Sequence, residues 1–227
     1  MTNQYLPCTP QQEMLLRKMK RELHLTMNGV ISESMKAKGA DYRLIYGVSY
    51  PQLKTMALRY PKEASFARLL WNSNIREMMI LATMLWPADS FKEETAEEWV
   101  RSIKQLELVE QVCLNLFASL PYASRKALGW ISEEELFVRI TGFTLIYRLC
   151  VKGTTWDEKQ LEYIIKQAER SIDSASPLLV NAAILALRGL VRQDREQGEK
   201  VVQFFLNVGN ERMTEVATLL KYEQELL

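Results

Sequence analysis

The sequence predicts an all-α fold: a solenoid (α-α superhelix) of HEAT-like helical repeats that forms a single curved domain, residues 1–227, with a concave face. Apolar residues recur at three- and four-residue steps through most of the chain. The alternation of apolar and polar residues that marks a half-buried strand is absent from the sequence. Segments of about 10–18 residues follow one another in pairs, with a pair roughly every 35–45 residues. We therefore expect about eleven or twelve helices.

Composition restricts the class of protein. The 227 residues are 48% hydrophobic and 25% charged, with a net charge of +1, which is ordinary for a globular domain. No apolar run approaches the ~18–20 residues of a membrane helix. The three cysteines are far apart and there is one histidine, so we expect neither a metal site nor a cofactor. We expect a cytoplasmic protein that is a monomer.

The charge is unevenly distributed. Residues 1–60 carry nine Lys or Arg against four Asp or Glu, whereas residues 153–227 carry nine against twelve. A dedicated nucleic-acid binder usually has a larger basic excess, because phosphate contacts supply most of its affinity. The basic N-terminal quarter leaves nucleic-acid binding open.

The N-terminal elements are delimited by capping residues. Thr9 and Pro10 predict the start of a first helix. A second helix follows Asn28-Gly29 and ends at Gly39, in the position after the C-cap. Ser49 followed by Tyr50-Pro51 predicts a third helix.

The next pair of helices spans residues 66–71 and 75–86. The second of these is apolar around most of its circumference, which predicts a deeply buried helix. Glu77 lies in this apolar surrounding, and a buried carboxylate requires a partner. We expect that partner to be Arg76 or Arg43.

The middle of the chain carries a candidate functional helix. One helix ends near Ile103, and a second begins at Leu106 with an apolar stripe of residues Leu106, Val109, Cys113, Leu116 and Phe117. Glu107 and Glu110 are about one turn apart, so both carboxylates can point from a neighbouring face. The alternative is that they form an ordinary solvated face.

The C-terminal half continues the helical pattern. Residues 123–130 predict a short helix or a turn. Ser132 and Glu135 predict a capping box for a helix that ends at Cys150. Arg139 and Arg148 are its only charges after the first turn, and the apolar neighbours of Arg139 predict a carboxylate or phosphate partner for it. Further helices are predicted after caps at Thr155 and Ser176, and two more complete the chain.

Four fragments in succession resemble the AlkD-like DNA alkylation repair family of HEAT-like-repeat DNA glycosylases. They are YGVSYPQLKTMAL, LWNSNIREMMILATML, EEWVRSIKQLELVEQV and FVRITGFTLIYRL. The resemblance covers about residues 30–190 and implies duplex DNA as the partner. It also implies hydrolysis of the N-glycosidic bond of cationic N3- and N7-alkylpurines without moving the base into a pocket, unlike most glycosylases.

The resemblance also implies site residues. The family's W-D-x-V-D motif falls on residues 106–110, which places its carboxylate on Glu110, and the arginine of its W-x-x-R motif falls on Arg139. The tryptophan positions fall on Leu106, Leu136 and Ala186, none of which offers an aromatic face. Whether catalysis survives this replacement is left open. Aromatic residues elsewhere either compensate or serve as packing anchors: Tyr42, Tyr46, Tyr50 and Trp130.

Three hypotheses follow. The first is a DNA glycosylase with Glu110 and Arg139 as its catalytic residues and with cations that bind the DNA phosphates: Arg139, Lys36, Lys38, Arg43 and Lys54. The second is a weak or inactive relative that only binds DNA. The third is a protein-interaction scaffold, in which Glu110 and Arg139 form an internal ion pair.

Overall fold

The computed structural model describes residues 8–225. These residues form thirteen α-helices and two single-turn 3-10 helices, and they contain no β-strand, only an isolated bridge between Leu44 and Ile75. The predicted all-α class is therefore confirmed. The chain folds as two compact units, and the second unit begins at Glu93. None of the helices within residues 8–225 has the length and apolar character that crossing a membrane requires.

The first unit contains five α-helices. In chain order they are α1 (Pro10–Leu25), α2 (Gly29–Ala37), α3 (Tyr50–Ala57), α4 (Ala64–Trp71) and α5 (Arg76–Leu85), followed by a 3-10 turn, Ala88–Ser90. Thr9 caps α1 through a capping box with Gln12, and Gly39 adopts φ +88° after α2, as predicted. Helix α5 packs on α3 and α4 and buries nine of its ten residues. It is the buried central helix that the sequence predicts.

The second unit contains eight α-helices. They are α6 (Glu93–Ser102), α7 (Leu106–Asn115), α8 (Ala123–Trp130), α9 (Leu136–Val151), α10 (Glu158–Ile172), α11 (Pro177–Gln193), α12 (Arg195–Val208) and α13 (Glu211–Glu225). A 3-10 turn, Phe117–Ser119, follows α7. The segment predicted as a helix or a turn is helix α8.

Helices of the second unit stack in successive pairs. Helix α9 packs on α7, α8 and α11, and α11 in turn packs on α10, α12 and α13. Helices α9 and α11 therefore each contact both a partner within a pair and the equivalent helix of the next pair, in the row α7, α9, α11 and α13. This is the packing of a HEAT-like helical repeat, and it confirms the predicted solenoid class.

Two glycines set the spacing of the helices around α9. A Cβ on Gly142 would lie 2.7 Å from the backbone nitrogen of Ile131, at the end of α8. A Cβ on Gly189 of α11 would lie 3.1 Å from the ring of Tyr147. Because no side chain intervenes at either position, α9 is held close to both neighbours.

Two predicted caps are wrong. Helix α9 begins after Glu135, and the Ser132 hydroxyl donates to the carbonyl of Gly129 at the end of α8. Helix α10 is capped by Asp157 in a capping box with Gln160, two residues after Thr155. In both cases a competing local hydrogen bond or a better-placed acceptor determines the start of the helix.

Candidate functional site

Glu110 lies on the outer face of α7, in the second unit. The opposite face of this helix buries Leu108, Val109, Val112 and Cys113. Leu106 is 36% exposed, so its predicted place in the buried stripe is wrong. Leu106 and Leu114 lie one turn before and one turn after Glu110 on the same outer face, and both are exposed. The carboxylate is therefore flanked along the helix by two leucines.

The electrostatic surroundings of Glu110 come from two helices. Partial burial raises the pKa of the Glu110 carboxyl above its ordinary value. The Arg148 guanidinium on α9 acts in the opposite direction and lowers this pKa, while the charge of Glu107 raises it. Burial is the largest of these effects, so the carboxyl has a raised pKa and only part of its hydration shell, although the side chain as a whole is exposed to solvent. Such a carboxylate stabilises a nearby positive charge more strongly than one in bulk water.

Arg148 is the arginine that the structure brings to Glu110. Its charge also acts on the buried Cys113 thiol, one turn beyond Glu110 on α7. Its guanidinium lies 5.5 Å from the centroid of the Tyr147 ring. No ion pair joins Arg148 to Glu110 within residues 8–225, so the two charges interact across a gap. The Nε atom of Arg148 is buried and has no hydrogen-bond partner in this range.

Arg139 lies elsewhere on α9. Its Nη2 donates to the Ser171 hydroxyl of α10 at 2.7 Å. Arg139 and Arg148 are nine positions apart, which at about 100° per residue places them on roughly opposite sides of the helix. Among the described residues no ion pair joins Arg139 to Glu110. The internal Glu110–Arg139 pair of the scaffold hypothesis is therefore not formed.

The positions matched to family tryptophans fall into two groups. Leu136 is exposed at the start of α9, as Leu106 is at the start of α7. Ala186 is fully buried in α11 and lines no surface. Trp130 is also buried, and its Nε1 donates to Glu97 at 3.0 Å, so it is a packing anchor. Tyr147 is an aromatic residue that the sequence pattern does not single out, and its ring lies 5.5 Å from the Arg148 guanidinium.

The remaining predicted DNA-binding cations belong to the first unit. All are exposed, and none has an acidic partner in the part of the chain that the structure describes: Lys36, Lys38, Arg43 and Lys54. Their charges are therefore available to an external anion. Across residues 8–225 no three His, Cys, Asp or Glu side chains converge as a metal site would require.

Comparison with known proteins agrees with this description. A family described as DNA alkylation repair enzyme matches residues 19–219. One similar solved structure is described as belonging to "a new family of proteins related to the HEAT-like repeat DNA glycosylases with affinity for branched DNA structures". It has a TM-score of 0.78 and 15% identity, and it covers 92% of this chain and 94% of that chain.

A designed armadillo repeat protein gives a TM-score of 0.41 and 12% identity, with 95% of each chain covered. No curated protein sequence matches the chain. The first likeness shows a shared HEAT-like-repeat fold.

Proposed function

We propose, because the chain belongs to the DNA alkylation repair enzyme family, that it binds DNA and hydrolyses the N-glycosidic bond of cationic N3- and N7-alkylpurines in duplex DNA. Glu110 is the catalytic carboxylate of this proposal. The observation that carries it is the exposed position of the Glu110 carboxylate between Leu106 and Leu114 on α7, where partial burial raises its pKa and the charge of Arg148 acts on it.

The chemistry requires little from the protein. An alkylated purine is already cationic, so it leaves with the electron pair of the C1′–N bond and becomes neutral. The sugar then carries the positive charge, which a carboxylate stabilises. Water adds to C1′ and transfers its proton to Glu110 or to solvent. A carboxylate flanked by Leu106 and Leu114 suits this role, because limited hydration strengthens its interaction with the sugar cation.

Arg148 and Arg139 have different roles in this proposal. Arg148 favours the ionised form of Glu110, since its charge lowers the pKa of that carboxyl against the effect of burial. Arg139 donates to the Ser171 hydroxyl through Nη2, and its remaining guanidinium N–H groups are the donors that this proposal assigns to the oxygens of a DNA phosphate. The first-unit cations add sequence-independent phosphate contacts.

A second function, DNA binding without catalysis, is favoured by one observation. The positions matched to family tryptophans are exposed leucines at 106 and 136 and a buried alanine at 186, so none presents a ring to the sugar or the base. Affinity for branched DNA, as described for the structurally similar protein, would then be the function of this chain as well.

Release of methylated purines from N-methylated duplex DNA separates the two functions. We expect release by the wild type, loss of at least about 100-fold in Glu110→Gln, and a change of less than about 3-fold in the matched control Glu107→Gln. Binding to the same DNA is measured in parallel. Binding without release by the wild type would overturn the glycosylase and support the binding protein. Absence of both would overturn both proposals.

A further inference from the structure

The junction of α1 and α2 exposes an unusual group of apolar side chains. Leu25 is 76% exposed, Met27 47%, Val30 80% and Ile31 38%. These four residues, here called the apolar corner, lie within seven consecutive positions. Ser32 is the buried residue of α2, so this helix contributes little to the core. An exposed group of this kind typically marks an interaction site.

The apolar corner is held rigidly. The backbone N–H of Asn28 donates to the Tyr46 carbonyl at 2.8 Å, and the Ser32 hydroxyl donates to the Ile45 carbonyl at 2.8 Å. The side chain of Asn28 caps α2 by accepting from the Ile31 N–H. A Cβ on Gly47 would collide with the Asn28 carbonyl oxygen, so the absence of a side chain there allows this contact.

The corner is flanked by positive charge. Residues 17–38 contain six Lys or Arg and two Glu. One of these acids, Glu22, is bound by Arg59 at 2.8 Å. Four of the cations are exposed and have no acidic partner within residues 8–225: Lys20, Arg21, Lys36 and Lys38. The surface therefore complements a polyanion that also offers an apolar face.

DNA has this combination of chemistry wherever base pairs unstack. Leucine, isoleucine and methionine side chains enter base steps in proteins that kink DNA, beside lysines and arginines that hold the phosphates. Unstacking requires a few kcal/mol per step, so the inserted group has to be rigidly mounted. The hydrogen bonds at Asn28 and Ser32 provide such a mount.

We propose that the apolar corner is a wedge that contacts the faces of unstacked base pairs in DNA, while the flanking cations bind the adjacent phosphates. This inference rests on the proposed DNA-binding function. It assigns to the first unit a role that is independent of the carboxylate chemistry of Glu110.

The test compares two DNA probes. One is a straight duplex, and the other is the same duplex with a two-nucleotide bulge next to a 2-aminopurine, whose fluorescence rises when it unstacks. We expect Val30→Ser with Ile31→Ser to weaken binding to the bulged probe about ten-fold and to abolish the fluorescence rise. The affinity of this variant for the straight duplex, and the salt dependence of that affinity, stay within about two-fold of the wild-type values. The control Leu206→Ser removes an exposed leucine of α12 and leaves both affinities unchanged.

The phosphate contacts are tested separately. Lys36→Ala with Lys38→Ala weakens binding to both probes, and the slope of log K against log salt falls by about 2. Equal effects of the serine variant on both probes, or none on either, would overturn the wedge while leaving DNA binding intact. A wild type that binds neither probe would overturn the wedge and the proposed function together. Binding to phosphatidylserine vesicles is measured as well. If the serine variant lost vesicle binding and kept its binding to both DNA probes, the apolar corner would be a membrane-binding site and the wedge would be overturned.

Discussion

Glu77 accepts a hydrogen bond from the backbone N–H of Gly47 at 2.9 Å, although the two residues lie thirty positions apart. The same carboxylate accepts from the N–H groups of Tyr46 and Val48 and pairs with Arg76 at 2.7 Å. Glu77 is fully buried, so its charge depends entirely on these partners. One side chain thus fixes the loop of residues 46–48, next to the carbonyl groups that hold Asn28 and Ser32 of the α1–α2 junction.

Removal of the Glu77 carboxylate is expected to destabilise the protein strongly. In Glu77→Ala the loop N–H groups lose their acceptor and the buried Arg76 loses its counter-charge, which together lower the free energy of unfolding by about 3–5 kcal/mol. Urea denaturation followed by circular dichroism measures this change. The control Glu33→Ala, on the exposed face of α2, changes stability by less than about 0.5 kcal/mol. Similar values for both variants would show that the Glu77 interactions are dispensable.

Alanine substitutions at Gly47 and Gly39 distinguish the effect of a steric collision on stability from the effect of backbone strain. Both adopt positive φ, at +74° and +88°, but only at Gly47 would a Cβ meet other atoms. Gly39→Ala therefore loses about 1 kcal/mol through strain alone, and Gly47→Ala loses at least about 2 kcal/mol more. Thermal unfolding measures the difference, and a smaller loss at Gly47 than at Gly39 would contradict the described packing against Asn28.

Gly142 and Gly129 form a second matched pair, in helices α9 and α8. Gly142→Ala places a methyl group against the Ile131 backbone and is expected to destabilise the protein by about 1–3 kcal/mol. Gly129 has open space around its Cα, so Gly129→Ala is expected to stabilise by roughly 0.5–1 kcal/mol through helix propensity. The sign of the two changes in urea denaturation is the decisive readout.

The pH dependence of purine release reports on Glu110. If the ionised carboxylate is the reactive form, release rises with pH through a midpoint above the ordinary glutamate pKa of 4.5, because burial raises this pKa. Arg148→Gln moves the midpoint further up, since Arg148 lowers the pKa in the wild type. Single-turnover rates across a pH series measure the midpoint. Arg139→Gln is the control and leaves it unchanged; a midpoint at or below 4.5 in the wild type would contradict the assignment.

The same shift predicts the sign of a stability effect. A carboxyl with a raised pKa in the folded state retains its proton to higher pH than in the unfolded chain. The resulting stabilisation is present below 4.5 and is lost as pH rises through the raised value. Glu110→Gln lacks this titrating group. Its free energy of unfolding therefore falls less than that of the wild type as the pH rises from 4.5 through the raised pKa. Urea denaturation at the two ends of the window measures the effect.

Much of the helical architecture could be predicted because its determinants are local. Thr9, Asn28 and Ser49 mark helix starts through acceptors that lie within three residues of the groups they cap. Of the two partners predicted for Glu77, Arg76 and Arg43, the structure shows Arg76. A carboxylate buried in α5 requires a counter-charge, and the adjacent residue supplies it. Ser132 and Thr155 are not the caps that the sequence predicts, since several residues near each helix start compete for that position.

The sequence by itself determined an all-α chain of HEAT-like helices, because helical periodicity and caps depend on residues a few positions apart. Only the tertiary structure decided which arginine acts on Glu110. Arg139 and Arg148 share one helix and similar apolar neighbours, so the pattern along the chain does not distinguish them. The rotation of α9 against α7 turns Arg148 toward Glu110 and leaves Arg139 to Ser171. That rotation is set by packing with α8 and α11, where Gly142 and Gly189 permit close approach.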